Sequence, residues 1–195
     1  MIKRMNNQYC RLCKSDINRP ALLSMSPFPM AAQYYPDKVE FERDRGITLK
    51  VYRCSCCDLL QLCCDPVSYY KEVITAASFS AEARAARLKE ISLFSNRFGL
   101  HGKSIIEIGS GKGGIVDIMT EAGFNAVGLE FSAESIKYAR DQKCNMIEGY
   151  LDDLDESHDS KYDAFISLNY IEHQPDTKSF INSLARITTE DAVGY

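Results

Sequence analysis

The second half of the chain alternates short apolar runs with segments that repeat apolar residues at helical spacing. Four apolar runs predict strands, at 103–108, 125–129, 144–148 and 163–168. The segment after the first run predicts a helix, because apolar residues recur at i, i+3, i+4 and i+7: Ile115, Ile118, Met119 and Ala122. Two further helices are predicted, one after Ser132 and one at 178–187. Strands that alternate with helices imply parallel crossovers, so we expect an α/β, Rossmann-like fold.

A longer helix is predicted upstream of this alternation. The stretch 81–98 is rich in helix-forming residues, with Ser80 as a candidate N-cap and Gly99 just past the end. One face of this helix is expected to carry Leu88, Ile91, Ser95 and Phe98. Nearer the N-terminus, 47–53 alternates apolar and polar residues like a strand, whereas the segment 22–36, rich in proline and aromatic residues, predicts an extended loop.

Composition narrows the class of protein. The 195 residues are 45% hydrophobic and 26% charged, which is the balance of a globular chain. No apolar run approaches the roughly 18 residues that a membrane helix needs, and no apolar stretch follows the basic N-terminus as in a secretory signal. The net charge of −4 argues against a nucleic-acid-binding surface. We therefore expect a cytoplasmic protein with neither a nucleic-acid nor a membrane partner.

The cysteines are concentrated near the N-terminus. Of the eight, seven lie in the first 64 residues, and no secretory signal accompanies them. Thiols in a reducing compartment are more often metal ligands than disulfides, although an even count also permits a disulfide framework. Two pairs have the spacing with which thiolates from one tight turn reach the same zinc ion. The sequence therefore predicts a four-cysteine zinc site formed by Cys10, Cys13, Cys54 and Cys57.

Three further cysteines leave alternatives open. Cys56 competes with Cys57 for ligation, although the spacing favours Cys57. Cys63 and Cys64 have no partner at ligand spacing and are expected to be small, partly buried residues. A set of unrelated free thiols is the alternative to the whole module.

The order of these features predicts three consecutive regions. Residues 1–66 are expected to form the zinc-binding domain, 67–100 a helical connector, and 101–195 the α/β domain.

A glycine-rich loop follows the first predicted strand of the α/β domain. Gly109, Gly111 and Gly113 stand between that strand and a helix, where backbone N–H groups at the helix N-terminus can bind a ligand. Glu130 follows the second strand and can accept the hydroxyl groups of a ribose. Because Gly109, Gly111 and Gly114 also satisfy the dinucleotide pattern GxGxxG, a nicotinamide cofactor is an alternative. The acidic Glu107 before the loop opposes it, since that position is usually apolar in dinucleotide sites.

The run Glu107-Ile108-Gly109-Ser110-Gly111-Lys112-Gly113 resembles motif I of the class I S-adenosylmethionine-dependent methyltransferases. The cysteine pairs, the stretch Ser26-Pro27-Phe28-Pro29 and the run Asp58-Leu59-Leu60-Gln61 resemble the zinc-binding domain of the sugar C-methyltransferases. The resemblance implies a catalytic cluster of Tyr170, Glu172 and His173. It implies cofactor binding by Glu107, Gly109, Ser110, Gly111, Gly113, Glu130, Phe131 and Asn169.

The resemblance implies an enzyme with S-adenosylmethionine and zinc as cofactors. Its expected reaction is methylation of a carbon next to a ketone on a nucleotide-linked deoxysugar, with His173 as the base. Methyl transfer to oxygen or nitrogen of another small metabolite, or a non-catalytic zinc-bearing fragment, are the alternatives. Two residues depart from the family pattern: Asp58 stands where glycine is usual, and Tyr150 where an aspartate often contacts adenine. Asp152 or Asp153 is a candidate substitute for that aspartate.

The number of strands predicts an incomplete domain. A class I core has seven strands, whereas the pattern gives four, and the chain ends at 191–195, about where a fifth would begin. On this basis we expect a truncated fragment with an exposed sheet edge and no turnover by itself.

Overall fold

A computed structural model describes residues 9–31, 35–67, 79–154 and 161–195. These residues fall into two compact units, an N-terminal one, with which 175–178 are grouped, and a C-terminal one. Parts of the expected zinc-binding domain (1–66) and most of the first half of the expected helical connector (67–100) lie outside the described residues. None of the described helices is long and apolar enough to cross a lipid bilayer.

The N-terminal unit is built on a small antiparallel sheet. Its strands are β1 (Leu23–Phe28), β2 (Ile47–Arg53) and β3 (Leu60–Leu62), in the order β1-β2-β3. A short helix, α1 (Lys38–Arg43), lies between β1 and β2 and begins at a capping box in which Asp37 and Glu40 each accept the other's backbone N–H. The strand expected at 47–53 is thus confirmed.

The expectation of an extended loop over 22–36 was wrong in part, because β1 occupies Leu23–Phe28. Pro27 lies in this strand without breaking the sheet. Because β1 is an edge strand, it pairs with a neighbour on one side only, and the missing N–H of a proline is tolerated there. The register of β1 against β2 shifts between Met25 and Phe28.

The C-terminal unit is an α/β domain with a five-stranded sheet. Its strands are β4 (Ser104–Ile108), β5 (Asn125–Glu130), β6 (Met146–Glu148), β7 (Tyr162–Ile166) and β8 (Thr188–Gly194). They are arranged β6-β5-β4-β7-β8, and every adjacent pair is parallel. The strand order reverses between β4 and β7, which creates the crevice where such sheets bind ligands. The predicted Rossmann-like α/β fold is confirmed.

Four helices pack around this sheet: α2 (Ala81–Phe98), α3 (Gly114–Glu121), α4 (Ala133–Asp141) and α5 (Thr177–Ile187). One buried cluster joins α2, α3 and α4 to the sheet through residues such as Ile91, Ile105 and Ile118. A second cluster joins α5 to it through Phe180 and Leu184, which pack with Ile106.

The predicted caps of α2 are also confirmed. Ser80 accepts the backbone N–H of Ala83 at 3.2 Å, and Gly99 takes the left-handed conformation at φ 66°. Of the residues expected on one face of this helix, Ile91 and Ser95 are buried and Phe98 is 45% exposed, while Phe94 is buried beside them.

The strand count was wrong by one. Thr188–Gly194 forms the parallel strand β8 against β7, with Val193 and Gly194 facing Ala164 and Phe165. The polar sequence of this segment hid the strand, because an edge strand buries only part of its residues and tolerates charge.

Candidate functional site

The glycine loop connects β4 to α3 at the carboxyl end of the sheet. Gly109, Gly111 and Gly113 all have positive φ, at 78°, 52° and 78°. Residues with a side chain rarely adopt this backbone conformation, so the glycines allow the tight turn. A Cβ at Gly109 would overlap the ring of Tyr170, and one at Gly113 would lie 3.1 Å from the Cys144 sulfur. The loop is therefore packed closely from both sides.

Ser110 fixes the base of this loop. Its hydroxyl group donates to the backbone carbonyls of Glu107 at 3.0 Å and of Leu129 at 3.3 Å, which ties β4 to β5. A Cβ at Gly128 of β5 would meet the Ser110 side chain, so this strand position needs glycine. Sequence reasoning missed Gly128, although a glycine inside a strand is itself a signal of close approach.

Glu130 lies buried at the end of β5, next to the loop. One carboxylate oxygen accepts the backbone N–H groups of Phe131 at 2.9 Å and Ser132 at 2.8 Å. The other accepts the N–H of Gly111 at 2.8 Å. These bonds hold the carboxylate at the mouth of the glycine loop, which is the position expected of a ribose-binding acid.

Glu107 is the second buried carboxyl group at this edge. It lies in β4, only 4% exposed, and its Oε2 has no hydrogen-bond partner among the described residues. Burial raises the pKa of Glu107 to about 8; the Ser110 hydrogen bond opposes this rise, and the negative charge of Glu130 adds to it. An unpartnered buried carboxyl group next to a ligand-binding loop is suited to a cationic ligand group.

Two aromatic rings stack beyond Glu130. Phe131 and Tyr150 lie with their ring centroids 4.2 Å apart and 19° between their planes. Tyr150 follows β6, so the pair covers the ends of β5 and β6. Asp152, one candidate for the adenine contact, accepts the Ser183 hydroxyl of α5 at 2.7 Å.

The predicted catalytic cluster follows β7. Asn169 is exposed and has φ 52°, a left-handed conformation that asparagine tolerates better than most residues. The Tyr170 ring covers Gly109 and lies 5.9 Å from the ring of Phe180, and burial raises the pKa of its hydroxyl to about 12. Glu172 and His173 lie in the 3₁₀ turn Ile171–His173, with Glu172 Oε1 4.0 Å from His173 Nε2. The His173 side chain is 38% exposed.

In the N-terminal unit, four sulfur atoms cluster. The Sγ atoms of Cys10, Cys13, Cys54 and Cys57 all lie within 4.8 Å of one another. The Sγ atoms of Cys13 and Cys54 are 3.5 Å apart, and those of Cys10 and Cys57 are 3.6 Å apart. Four thiolates around a tetrahedral zinc ion would be about 3.8 Å apart, given a Zn–S distance of about 2.3 Å. The cluster therefore fits the size of such an ion. Cys56 is exposed and is not among the four.

The two cysteine pairs lie on turns with the same backbone hydrogen bonds. The first cysteine of each turn donates its N–H to the residue five positions on, Cys10 to Ser15 at 2.8 Å and Cys54 to Leu59 at 2.9 Å. The fifth residue of each, Lys14 or Asp58, has φ 62° and donates back to the first cysteine's carbonyl. The left-handed conformation explains why glycine is usual where Asp58 stands.

A buried glutamine joins the first turn to the sheet. The Gln61 side chain of β3 accepts the backbone N–H of Arg11 at 2.9 Å and donates to the carbonyl of Tyr9 at 3.2 Å. Sequence reasoning quoted Gln61 only as part of a motif and assigned it no role.

Comparison with known families places the C-terminal unit. Residues 106–193 match the family model described as a methyltransferase domain. This segment of the chain is therefore similar to methyltransferase domains. The glycine loop, Glu130 and the Tyr170–His173 segment all lie within it.

Curated relatives match part of the chain. The ubiquinone biosynthesis O-methyltransferase of Actinobacillus pleuropneumoniae serotype 7 is 29% identical over 105 residues, which are 49% of this chain and 45% of that protein. The enzyme of the same name from Klebsiella pneumoniae strain 342 is 30% identical over 98 residues, 46% of this chain and 39% of that protein. The matches thus span less than half the length of these relatives.

Two solved structures are also similar to part of this chain. Streptomyces venezuelae DesVI is 20% identical with a TM-score of 0.46, over 58% of this chain and 50% of that one. The magnesium protoporphyrin IX methyltransferase of Synechocystis PCC 6803, solved with bound S-adenosylmethionine, is 19% identical with a TM-score of 0.46, over 54% of each chain.

Proposed function

We propose that this chain belongs to an enzyme that transfers a methyl group from S-adenosylmethionine to a small molecule. The observation that carries the proposal is the buried Glu107 carboxyl group, unpartnered at Oε2 among the described residues, beside a glycine loop that Glu130 flanks. A methyl donor with an ammonium group and a ribose has one partner for each carboxylate. NAD has no ammonium group that could pair with Glu107.

The residues present fit this donor. When bound, it would supply an activated methyl group. Glu107 would pair with its ammonium group and Glu130 would accept its ribose hydroxyls, while Ser110, Asn169 and the loop glycines would line the site. The exposed face of the Phe131–Tyr150 pair would offer apolar contact to the base.

Glu130→Ala should lower donor affinity at least tenfold in calorimetry, since hydrogen bonds to a charged group contribute roughly 1.5–3 kcal/mol each. Tighter binding of NAD than of the methyl donor would contradict the assignment.

For the acceptor, we propose a carbon next to a ketone on a nucleotide-linked sugar. Support comes from the resemblance of the cysteine turns to the sugar C-methyltransferases and from the Tyr170–Glu172–His173 cluster. His173, partly exposed, would remove the proton from that carbon, and Glu172 at 4.0 Å would orient it. Tyr170 is protonated at neutral pH, as an ordinary tyrosine is, and burial raises its pKa further to about 12, so its hydroxyl would donate to the enolate oxygen.

A second candidate is methyl transfer to oxygen. The named relatives are ubiquinone biosynthesis O-methyltransferases, which favours a hydroxyl acceptor. His173 would then take the proton of that hydroxyl group.

One labelling experiment separates the candidates. The chain is incubated with a ¹³C-methyl donor and either keto-sugar nucleotides or catechol-type phenols, and the product is examined by NMR. A methyl group on a sugar carbon supports the first candidate, and one on oxygen supports the second. Donor binding without transfer to any acceptor would match the expectation from the sequence that this chain has no turnover by itself.

We also propose that residues 1–66 form a structural zinc module, with Cys10, Cys13, Cys54 and Cys57 as ligands. The size of the sulfur cluster supports it. Metal analysis should find about one zinc per chain. Cys57→Ser should lose the metal, whereas Cys56→Ser, the matched control one residue away, should keep it. Zinc retained in Cys57→Ser and lost in Cys56→Ser would show that the ligand set is wrong.

A further inference from the structure

A hydroxyl group lies inside the sulfur cluster. The Ser15 Oγ is 2.9 Å from the Sγ of Cys13 and 3.3 Å from the Sγ of Cys54. These two sulfurs come from different cysteine turns and are 3.5 Å apart. One side chain therefore contacts both halves of the cluster.

The backbone around Ser15 holds this hydroxyl in place. The Ser15 carbonyl accepts the N–H of Cys10 at 2.8 Å, and Tyr9 and Asp16 form an isolated antiparallel bridge on either side of the turn. The equivalent residue of the second turn is Leu59, with the same backbone bond. The turn itself therefore does not require a hydroxyl at this position.

Thiolates around a zinc ion carry excess negative charge and are stabilised by hydrogen-bond donors. The Cys10 sulfur accepts the backbone N–H of Cys13 at 3.5 Å, and the Cys54 sulfur accepts that of Cys56 at 3.3 Å. The Ser15 O–H is placed to act in the same way on the Cys13 sulfur. Its distance to that sulfur is the shortest of these three contacts.

We infer that Ser15 is a positioning residue of the proposed zinc site. Its hydroxyl donates to the Cys13 thiolate and, through its contact with Cys54, keeps the two turns in register around the metal. This inference rests on the zinc module proposed above. It concerns a residue outside the four ligands, so Ser15 should change how tightly the metal is held and not how many ions bind.

The test compares Ser15→Ala with Ser55→Ala in the full chain. Ser55 is an exposed serine next to Cys54, so it is a matched control. Zinc release to a chromogenic chelator should be about 10–100 times faster in Ser15→Ala, the usual effect of losing a group that orients a metal ligand. Ser55→Ala should release zinc at the wild-type rate. All three proteins should hold the same number of zinc ions at saturation.

Cobalt substitution gives a readout that packing alone would not change. Removing the hydroxyl donor leaves more electron density on the thiolate, so the sulfur-to-cobalt absorption of Ser15→Ala should move to lower energy. Ser15→Thr keeps the hydroxyl and should restore both the spectrum and a slow release rate.

Two failures are distinguishable. If the wild-type chain binds no zinc, the zinc module itself is wrong. If wild type binds zinc but Ser15→Ala matches it in release rate and cobalt spectrum, Ser15 has no positioning role. If Ser15→Ala does not fold, Ser15→Thr and Ser15→Gly replace it. A wild-type cobalt spectrum in Ser15→Thr and a shifted one in Ser15→Gly would support the inference. Identical cobalt spectra in these two variants would overturn it.

Discussion

Two glutamates at neighbouring strand ends differ because their surroundings differ. Glu130 accepts three backbone N–H groups, which compensate its burial. Glu107 is equally buried but has an oxygen without a partner among the described residues, so its pKa is raised to about 8. One carboxylate is therefore ready to accept hydroxyl groups, whereas the other needs a cation to ionise near neutral pH.

Donor binding should consequently depend on pH through Glu107. Below about pH 8 the free carboxyl group is mostly protonated, and pairing with an ammonium group requires that proton to leave. Donor affinity should rise by up to about tenfold per pH unit up to about pH 8 and then level off. Calorimetry of donor binding to wild type and to Glu107→Gln at several pH values measures this dependence. The donor's own ionisation affects both proteins equally, so a difference between their pH profiles comes from residue 107. Parallel pH profiles of the two proteins would contradict it.

The same shift predicts how the stability of the ligand-free domain changes with pH. A carboxyl group whose folded pKa is raised contributes stability below its unfolded value, and that contribution is lost as pH rises through the folded value. Thermal stability of the wild-type C-terminal unit should therefore decline between about pH 4.5 and about pH 8, relative to Glu107→Gln. Thermal unfolding followed by circular dichroism measures it, and an equal decline in the variant would exclude Glu107 as the cause.

Asp58 allows a prediction about backbone conformation. Its φ of 62° is strained for a residue with a side chain, and its exposed ion pair with Arg53 contributes little. Asp58→Gly should therefore leave zinc retention unchanged or improved. Asp58→Ala should destabilise the turn by about 1 kcal/mol, since alanine lacks the local hydrogen bonding that helps aspartate adopt this conformation. Denaturant titration with zinc release as the signal compares them, and equal midpoints for the two variants would contradict the explanation.

At the scale of elements, the pattern predicted buried strands well and edge strands poorly. The strand β4 was predictable because its residues 105–108 are almost fully buried and apolar apart from Glu107. The strand β8 was missed because Glu190 and Asp191 are exposed and only part of the strand packs inward. Likewise β1 was taken for a loop because it lies at a sheet edge and contains Pro27. Edge pairing depends on a neighbouring strand that local sequence does not encode.

In the candidate site, features that depend on local sequence were predictable, whereas contacts between separate elements were not. The glycine loop and Glu130 were predictable, because their chemistry depends on positions close in sequence to a strand end. The stacking of Phe131 on Tyr150 and the contact of Asp152 with Ser183 were not, since each joins residues from separate elements. Ser15 was also missed, because only the meeting of two distant turns brings its hydroxyl to Cys54.

Packing between β5 and the glycine loop gives a prediction at this scale. A Cβ at position 128 would lie 2.5 Å from the Ser110 hydroxyl and 2.7 Å from the Met146 sulfur, so Gly128→Ala must displace the loop. We expect destabilisation by about 1–3 kcal/mol, as for overpacked cores, together with weaker donor binding. Denaturant unfolding and calorimetry measure the two effects. Adding Ser110→Gly should recover part of the lost stability, and no recovery would mean that Ser110 is not the clashing group.

At the scale of the whole molecule, the two units are stabilised in different ways. The C-terminal unit has two buried apolar clusters around its sheet. Among the described residues of the N-terminal unit, the buried apolar side chains are Cys10, Leu49 and Cys54, of which two are proposed zinc ligands. Because the core formed by the described residues is so small, we expect a metal or another cross-link to stabilise this unit.

Removing the metal should therefore unfold one unit and spare the other. In Cys13→Ser, or in wild type with a strong chelator, hydrogen exchange should lose protection over 47–62, because the four-ligand site joins both turns to this sheet. Protection over 104–108 and 125–130 should persist, together with donor binding, since their core contains no zinc ligand.

Cys63→Ser is the matched control, a cysteine of the same unit outside the sulfur cluster, and should keep wild-type protection. Retained protection over 47–62 in Cys13→Ser would show that apolar packing alone maintains the N-terminal unit, and loss of protection over 104–108 would show that the two units unfold together.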